Sequence, residues 1–157
     1  MWLLWYNHCV EFENFINNSD KITSHEALNK NVLVFAFVGD AVFTLYVREL
    51  FATLSNKKAG VLHTETSHYV KASYQAKLLG VLEPLLTERE LQIVRSARNI
   101  KTHNIAKNSN LDEYKKATSF ESLLGELYMT NNNERLMQLL EICKQNILIS
   151  EGENKWK

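Results

Sequence analysis

Asp40 stands inside Val34-Phe35-Ala36-Phe37-Val38-Gly39-Asp40-Ala41-Val42-Phe43, where nearly every other side chain is apolar. A carboxylate in such surroundings pays a heavy desolvation penalty unless a cation, a donor or a metal meets it. A structural ion pair to a residue such as Arg48, or a helix cap, would also answer that need. Glu121 repeats the pattern in Ala117-Thr118-Ser119-Phe120-Glu121-Ser122-Leu123-Leu124-Gly125. Two helices that each send one carboxylate inward could bring the pair together. Like charges at close range repel, so such a pair needs a divalent cation, and all-oxygen ligands favour magnesium. Alternatively Glu121 only flanks the apolar stripe and points to water.

A third feature is hidden by the neutral total of 18 basic and 18 acidic residues. Between positions 95 and 116, Arg95, Arg98, Lys101, Lys107, Lys115 and Lys116 face only Asp112 and Glu113, a local net of +4. His103, Asn99, Asn104, Asn108 and Asn110 add hydrogen-bonding capacity there. Arginine, lysine and amide donors on or beside a loop suit phosphate contacts, although an ordinary solvated loop has the same composition. Other chemistries lack their residues. His63 and His68 are five apart and do not share a helix face as a zinc pair would. No phosphate-cradling glycine loop, His-Asp dipeptide or Gly-x-Ser-x-Gly elbow occurs.

The elements that must position these residues read as helices. Val32 to Val47 is an apolar run of 16 residues, too long for a strand, and predicts a helix buried on most faces. Leu62, Thr66, Tyr69, Ala72 or Ser73, Ala76 and Leu79 form a stripe predicting one helix of about five turns. Pro84 ends it or kinks the next turn. Thr87 and Glu90 spell a capping box ahead of Leu91, Val94 and Ala97. Residues 99–111 read as a polar loop. Ala117, Phe120, Leu124 and Leu127 resume helical spacing, as do Leu136, Leu139, Leu140, Cys143 and Ile147. Residues 2–18 read as a loose helix. The expectation is one all-α domain of five or six helices.

At 157 residues and 45% hydrophobic, the chain suffices for one domain with a real core. Its 5 glycines and single proline are too few for an all-β sandwich. Zero net charge excludes a uniformly basic nucleic-acid coat and an acidic disordered tail. Cys9 and Cys143 make neither a disulfide framework nor a zinc spacing, which fits a reduced, cytoplasmic setting. The apolar run Met1 to Tyr6 is a poor signal peptide and too short for a membrane span.

Phe37-Val38-Gly39-Asp40-Ala41-Val42 resembles the Phe-Leu-Gly-Asp-Ala-Val core of the ribonuclease III signature helix. Ser119-Phe120-Glu121-Ser122-Leu123-Leu124-Gly125 resembles that family's Ala-Phe-Glu-Ala-Leu-Ile-Gly, some 80 residues on and in the expected order. The resemblance implies an all-α, ribonuclease III-like helical endonuclease domain in which Asp40 and Glu121 bind magnesium and act on double-stranded RNA. The likeness is nearer to the short bacterial form of the family, Mini-ribonuclease III, across residues 27–142. Leu62-His63, Tyr69-Val70-Lys71-Ala72 and Gln75-Ala76 resemble its middle helix. Arg98-Asn99, Lys101 and Lys107-Asn108 resemble its basic loop, and Tyr114 and Lys115 precede the second acid helix. Only 36 residues follow Glu121, too few for a separate double-stranded-RNA-binding domain.

The chain departs from the full-length pattern in ways similar to the short form. Leu33 and Ala36 stand where full-length enzymes place two glutamates, and Thr118 where they place an aspartate. His103 and Ala106 replace a glycine and a proline of the loop. The expected organisation is an N-terminal arm at 1–22, a catalytic domain at 23–150 and a tail at 151–157. The expected function is a magnesium-dependent endoribonuclease leaving 5′-phosphate and 3′-hydroxyl ends, maturing large-subunit (23S) ribosomal RNA precursors. Asp40 and Glu121 would be catalytic metal ligands, and Arg95, Arg98, Asn99, Lys101, Lys107, Asn108 and Lys115 the RNA contacts. The resemblance implies a homodimer, read as meeting through the signature helix near Phe37 and Phe43, and admits a ribosomal protein as accessory partner. The alternative is a non-catalytic RNA- or ribosome-binding protein of the same fold.

Overall fold

The helices begin on short polar side chains. Thr23 accepts a hydrogen bond from the Glu26 amide while Glu26 reaches back to the Thr23 amide, and Thr87 and Glu90 repeat this reciprocal box. Asn31 and Asn110 cap through their side-chain oxygens. The computed structural model describes residues 21–100 and 110–152. The helix expected over 2–18, Cys9, and most of the loop expected at 99–111 lie outside the described residues.

Seven α-helices and one 3-10 turn occur among the described residues, more than the five or six expected. They are α1 (Ser24–Leu28), α2 (Val32–Leu54), α3 (Ala59–Val70), α4 (Ala72–Leu82), a 3-10 turn (Glu83–Leu85), α5 (Glu88–Arg98), α6 (Leu111–Met129) and α7 (Asn133–Glu151). Every regular element described is helical, as expected. None is long and apolar enough to cross a membrane among the described residues.

Two helices go beyond the five expected over these residues: α1 was not read from the sequence, and the other comes from a break. The stripe from Leu62 to Leu79 is two helices, because Lys71 is extended (φ −73°, ψ 152°) and caps both α3 and α4. Five residues on a continuous helix turn through about 140°. Tyr69 and Tyr74 could not then both face inward. With the break they do, edge to face at 4.9 Å, while Ala72 and Ser73 are exposed at the joint. Pro84 lies in the 3-10 turn that ends α4.

Helix α6 is the axis of the bundle, packed against α2, α4, α5 and α7. Its Phe120 meets Phe43 of α2 edge to face at 4.9 Å, and both are fully buried. The expected stripes on α6 and α7 are all buried, from Ala117 to Leu127 and from Leu136 to Ile147. Burial pushes the Cys143 thiol up to about 12, so it behaves as a core residue. Ser119 donates to the Val94 carbonyl of α5 and Ser122 to the Val32 carbonyl of α2, which ties the small-residue face of α6 to both neighbours. Arg135 of α7 grips Glu90 of α5 through two nitrogens at 2.8 and 3.0 Å, and Arg89 meets Glu126 at 2.9 Å.

The expectation that α2 is buried on most faces does not hold. Phe37 is 82% and Leu45 66% exposed, with Leu33 and Val34 also at the surface. The bundle supplies partners to one side of α2 only, so its other apolar side remains on the outside.

Candidate active site

The site is built where α2 crosses α6. A Cβ on Gly39 would collide with the Glu121 carbonyl and stand 2.8 Å from the Gly125 nitrogen. A Cβ on Gly125 would collide with the Phe35 carbonyl and stand 2.9 Å from the Gly39 nitrogen. Only glycine allows so close a backbone approach. Asp40 follows Gly39 directly, and Glu121 lies one helical turn before Gly125, so the crossing delivers both acids to the same place.

They line one open cleft of about 530 Å³, walled by Leu33, Ala36, Phe37, Tyr114 and Thr118. Leu33, Ala36 and Thr118 are the positions where the sequence resemblance implies acids in the full-length form of the family. Here all three are uncharged wall.

Glu121 is half-buried, but Asp40 is exposed at the rim, against the expectation of a buried aspartate. One residue on a helix turns the side chain by about 100°, enough to carry it from the buried Gly39 face to the edge. Asp40 forms no ion pair with Arg48. Eight residues of helix separate the two by about 12 Å along the axis.

Burial, and then the neighbouring charge of Asp40, push the Glu121 carboxyl up to about 7, with the Gln75 side chain acting in the opposite direction. Near neutral pH, then, the two carboxylates resist being charged together. Among the described residues no cluster of three or more histidine, cysteine or acidic groups forms. Two hard oxygen donors facing open solvent fit a divalent cation of the magnesium type, which holds few carboxylates and keeps several waters.

The basic set divides. Arg95 pairs with Glu88 at 2.7 Å and Arg98 with Glu83 at 2.6 Å, so both guanidinium groups already have acidic partners on α5 and the turn before it. Asn99 ends α5. Lys115 is half-buried on α6, next to Tyr114 of the cleft wall. Lys101, Lys107 and Asn108 lie outside the described residues. The structure brings Asp40 and Glu121 together but places none of Arg95, Arg98, Asn99 or Lys115 on the cleft wall.

Gln75 has a bearing on the site that the apolar stripe hides. A polar side chain between Tyr74 and Ala76, on a helix otherwise lined with leucine, was the available signal.

The all-helical bundle with its glycine crossing and paired acids belongs to a recognisable class. Residues 33–132 match the family model of the ribonuclease III domain. A protein from Fusobacterium nucleatum, solved by X-ray crystallography, superposes with a TM-score of 0.67 at 27% identity, over 74% of this chain and 93% of that one. The Mini-ribonuclease 3 of Thermoanaerobacter sp. is 41% identical over 131 residues, 83% of this chain and 92% of that protein. That of Enterococcus faecalis is 41% identical over 115 residues, 72% of this chain and 87% of the relative. The chain belongs to the ribonuclease III family of endoribonucleases, in its Mini-ribonuclease 3 group.

Proposed function

We propose that this chain is a magnesium-dependent endoribonuclease that cuts double-stranded RNA, with Asp40 and Glu121 as the catalytic metal ligands. The observation that carries the reading is the convergence of those two acids in one open cleft at the Gly39–Gly125 crossing. A bound divalent cation supplies charge stabilisation at the attacked phosphate and lowers the pKa of water near it. Asp40, exposed, offers its carboxylate at the mouth, and Glu121 offers its own from the wall. The uncharged walls at Ala36 and Thr118 leave room beside the acids for solvent and for an RNA backbone.

Duplex RNA is read by shape, phosphates and 2′-hydroxyls more than by base edges. Lys101, Lys107, Asn108 and Lys115, with Arg95, Arg98 and Asn99, supply the phosphate contacts in this reading. Arg95 and Arg98 exchange Glu88 and Glu83 for phosphate when RNA binds. In this reading the substrates are duplex segments of large-subunit (23S) ribosomal RNA precursors, cut in the cytoplasm to leave 5′-phosphate ends, with a ribosomal protein as accessory. Two-fold pairing presents one acid site to each strand, and the exposed stripe Leu33, Phe37 and Leu45 is the surface we assign to it.

The test is cleavage of a structured RNA by the purified chain with magnesium or with a chelator, beside Asp40→Asn. Cleavage that needs magnesium and is lost in the variant supports the reading. RNA binding without cleavage at any magnesium concentration replaces it with a non-catalytic binding protein.

A further inference from the structure

Helix α6 sends Tyr114, Thr118 and Glu121 to the wall of the acid cleft, a spacing of four and then three residues. Positions so spaced lie on one face of a helix, so the three side chains stand in a row. Thr118 is only 7% exposed, whereas Tyr114 is 42% exposed. Apart from the two acids, Tyr114 is the one described wall residue that is exposed and carries a polar group. Phe37, the other ring of the wall, lies on the surface assigned above to two-fold pairing.

Placement decides what the Tyr114 phenol can touch. Seven residues of helix separate it from Glu121 by about 10 Å along the axis. Helical side chains lean toward the N-terminus, which carries the Tyr114 ring away from the acids. The ring is therefore set for a nucleotide beside the attacked phosphate and not for the cation. Its chemistry fits a ribose, because the ring is apolar and the hydroxyl both donates and accepts. The ribose 2′-hydroxyl is likewise donor and acceptor, and it is the group that tells RNA from DNA. A neutral side chain also suits a site between acids and phosphates. A lysine there would pair with the acids, and a third carboxylate would repel both them and the RNA backbone.

We propose that Tyr114 is a specificity residue of the acid cleft, its hydroxyl bonding the 2′-hydroxyl of a nucleotide close to the cut and so favouring RNA over DNA. The inference rests on the reading of the cleft as the site of RNA cleavage.

The test uses the full chain and Tyr114→Phe, which removes one exposed hydroxyl and keeps the ring. Both proteins are given one structured RNA duplex and a set of copies, each with a single 2′-deoxynucleotide at a different position around the cut. Wild type should lose about 3–10-fold in kcat/KM at one of these positions, the worth of one hydrogen bond. Tyr114→Phe should lose about as much on the all-RNA duplex and nothing further on that deoxy copy. Its melting temperature and its magnesium requirement should match wild type. A variant within about twofold of wild type on the all-RNA duplex overturns the role of Tyr114. So do losses from the variant and from the deoxy substitution that multiply at every position, or a wild type indifferent to all the deoxy copies. Wild-type protein that cuts no RNA overturns the cleft as an active site, and this inference with it.

Discussion

Gly39 and Gly125 meet backbone to backbone, and the Glu121 carbonyl fills the space where a Gly39 side chain would stand. That contact sets the separation of α2 and α6, and with it the distance between Asp40 and Glu121. Because the obstruction is backbone, it cannot be relieved by a change of rotamer. Gly39→Ala or Gly125→Ala should therefore cost about 3 kcal/mol or more, at or above the usual range for overpacking. Gly80 is the control, a helical glycine in α4 with open space around its Cβ position. Gly80→Ala should stabilise by about 0.5–1 kcal/mol. Urea unfolding followed by circular dichroism checks both, and two alanine variants of wild-type stability at 39 and 125 would refute the crossing.

The raised carboxyl of Glu121 makes a signed prediction about pH. In chelator its folded-state pKa of about 7 exceeds the usual 4.5. Between these values the folded chain holds more protons than the unfolded one, so stability falls as pH rises through that window. Glu121→Gln should flatten the fall. Asp40→Asn should shrink it without abolishing it, because burial, the larger cause, remains. Asp40→Asn should be at least as stable as wild type in chelator while losing cleavage. Magnesium should raise the melting temperature more at pH 8 than at pH 5.5. Melting curves across pH 5 to 8, with and without magnesium, decide it.

Phe37 and Phe43 were read from the sequence as one contact surface, and the structure separates them. Phe37 is 82% exposed, whereas Phe43 is fully buried against Phe120. Six positions turn a helix through about 600°, which puts the two on different sides. Phe37→Glu should dissociate the proposed homodimer with little loss of fold. Phe43→Ala should cost about 3–5 kcal/mol through the cavity it leaves. Light scattering and thermal melts separate these effects, and a wild-type monomer with full double-strand cleavage would sink the dimer.

For the basic segment, Lys101→Ala combined with Lys107→Ala should weaken binding to many duplexes alike. The salt dependence of binding should become shallower by about one unit per lost phosphate contact. Binding isotherms at several salt concentrations measure this, and an unchanged slope removes both lysines from the interface.

Helical periodicity is a local property, so the stripes on α5, α6 and α7 and the Thr87–Glu90 cap were legible in the residues alone. So were the two acid motifs, because Gly-Asp and Phe-Glu in apolar runs stand out by type. What periodicity cannot encode is which side of an apolar helix meets another helix. Asp40 was read as buried and is exposed, since α2 is covered on one side only. One stripe became α3 and α4 because Tyr69 and Tyr74 both reach the core only if Lys71 leaves helical geometry. Gln75 stood out in the chain only as a polar residue in an apolar stripe; that it bears on Glu121, 46 residues on, depends on the packing of α4 against α6. Residue type determined that this chain carries two unusual acids; the glycine crossing, a contact between distant backbones, decided that they share one cleft.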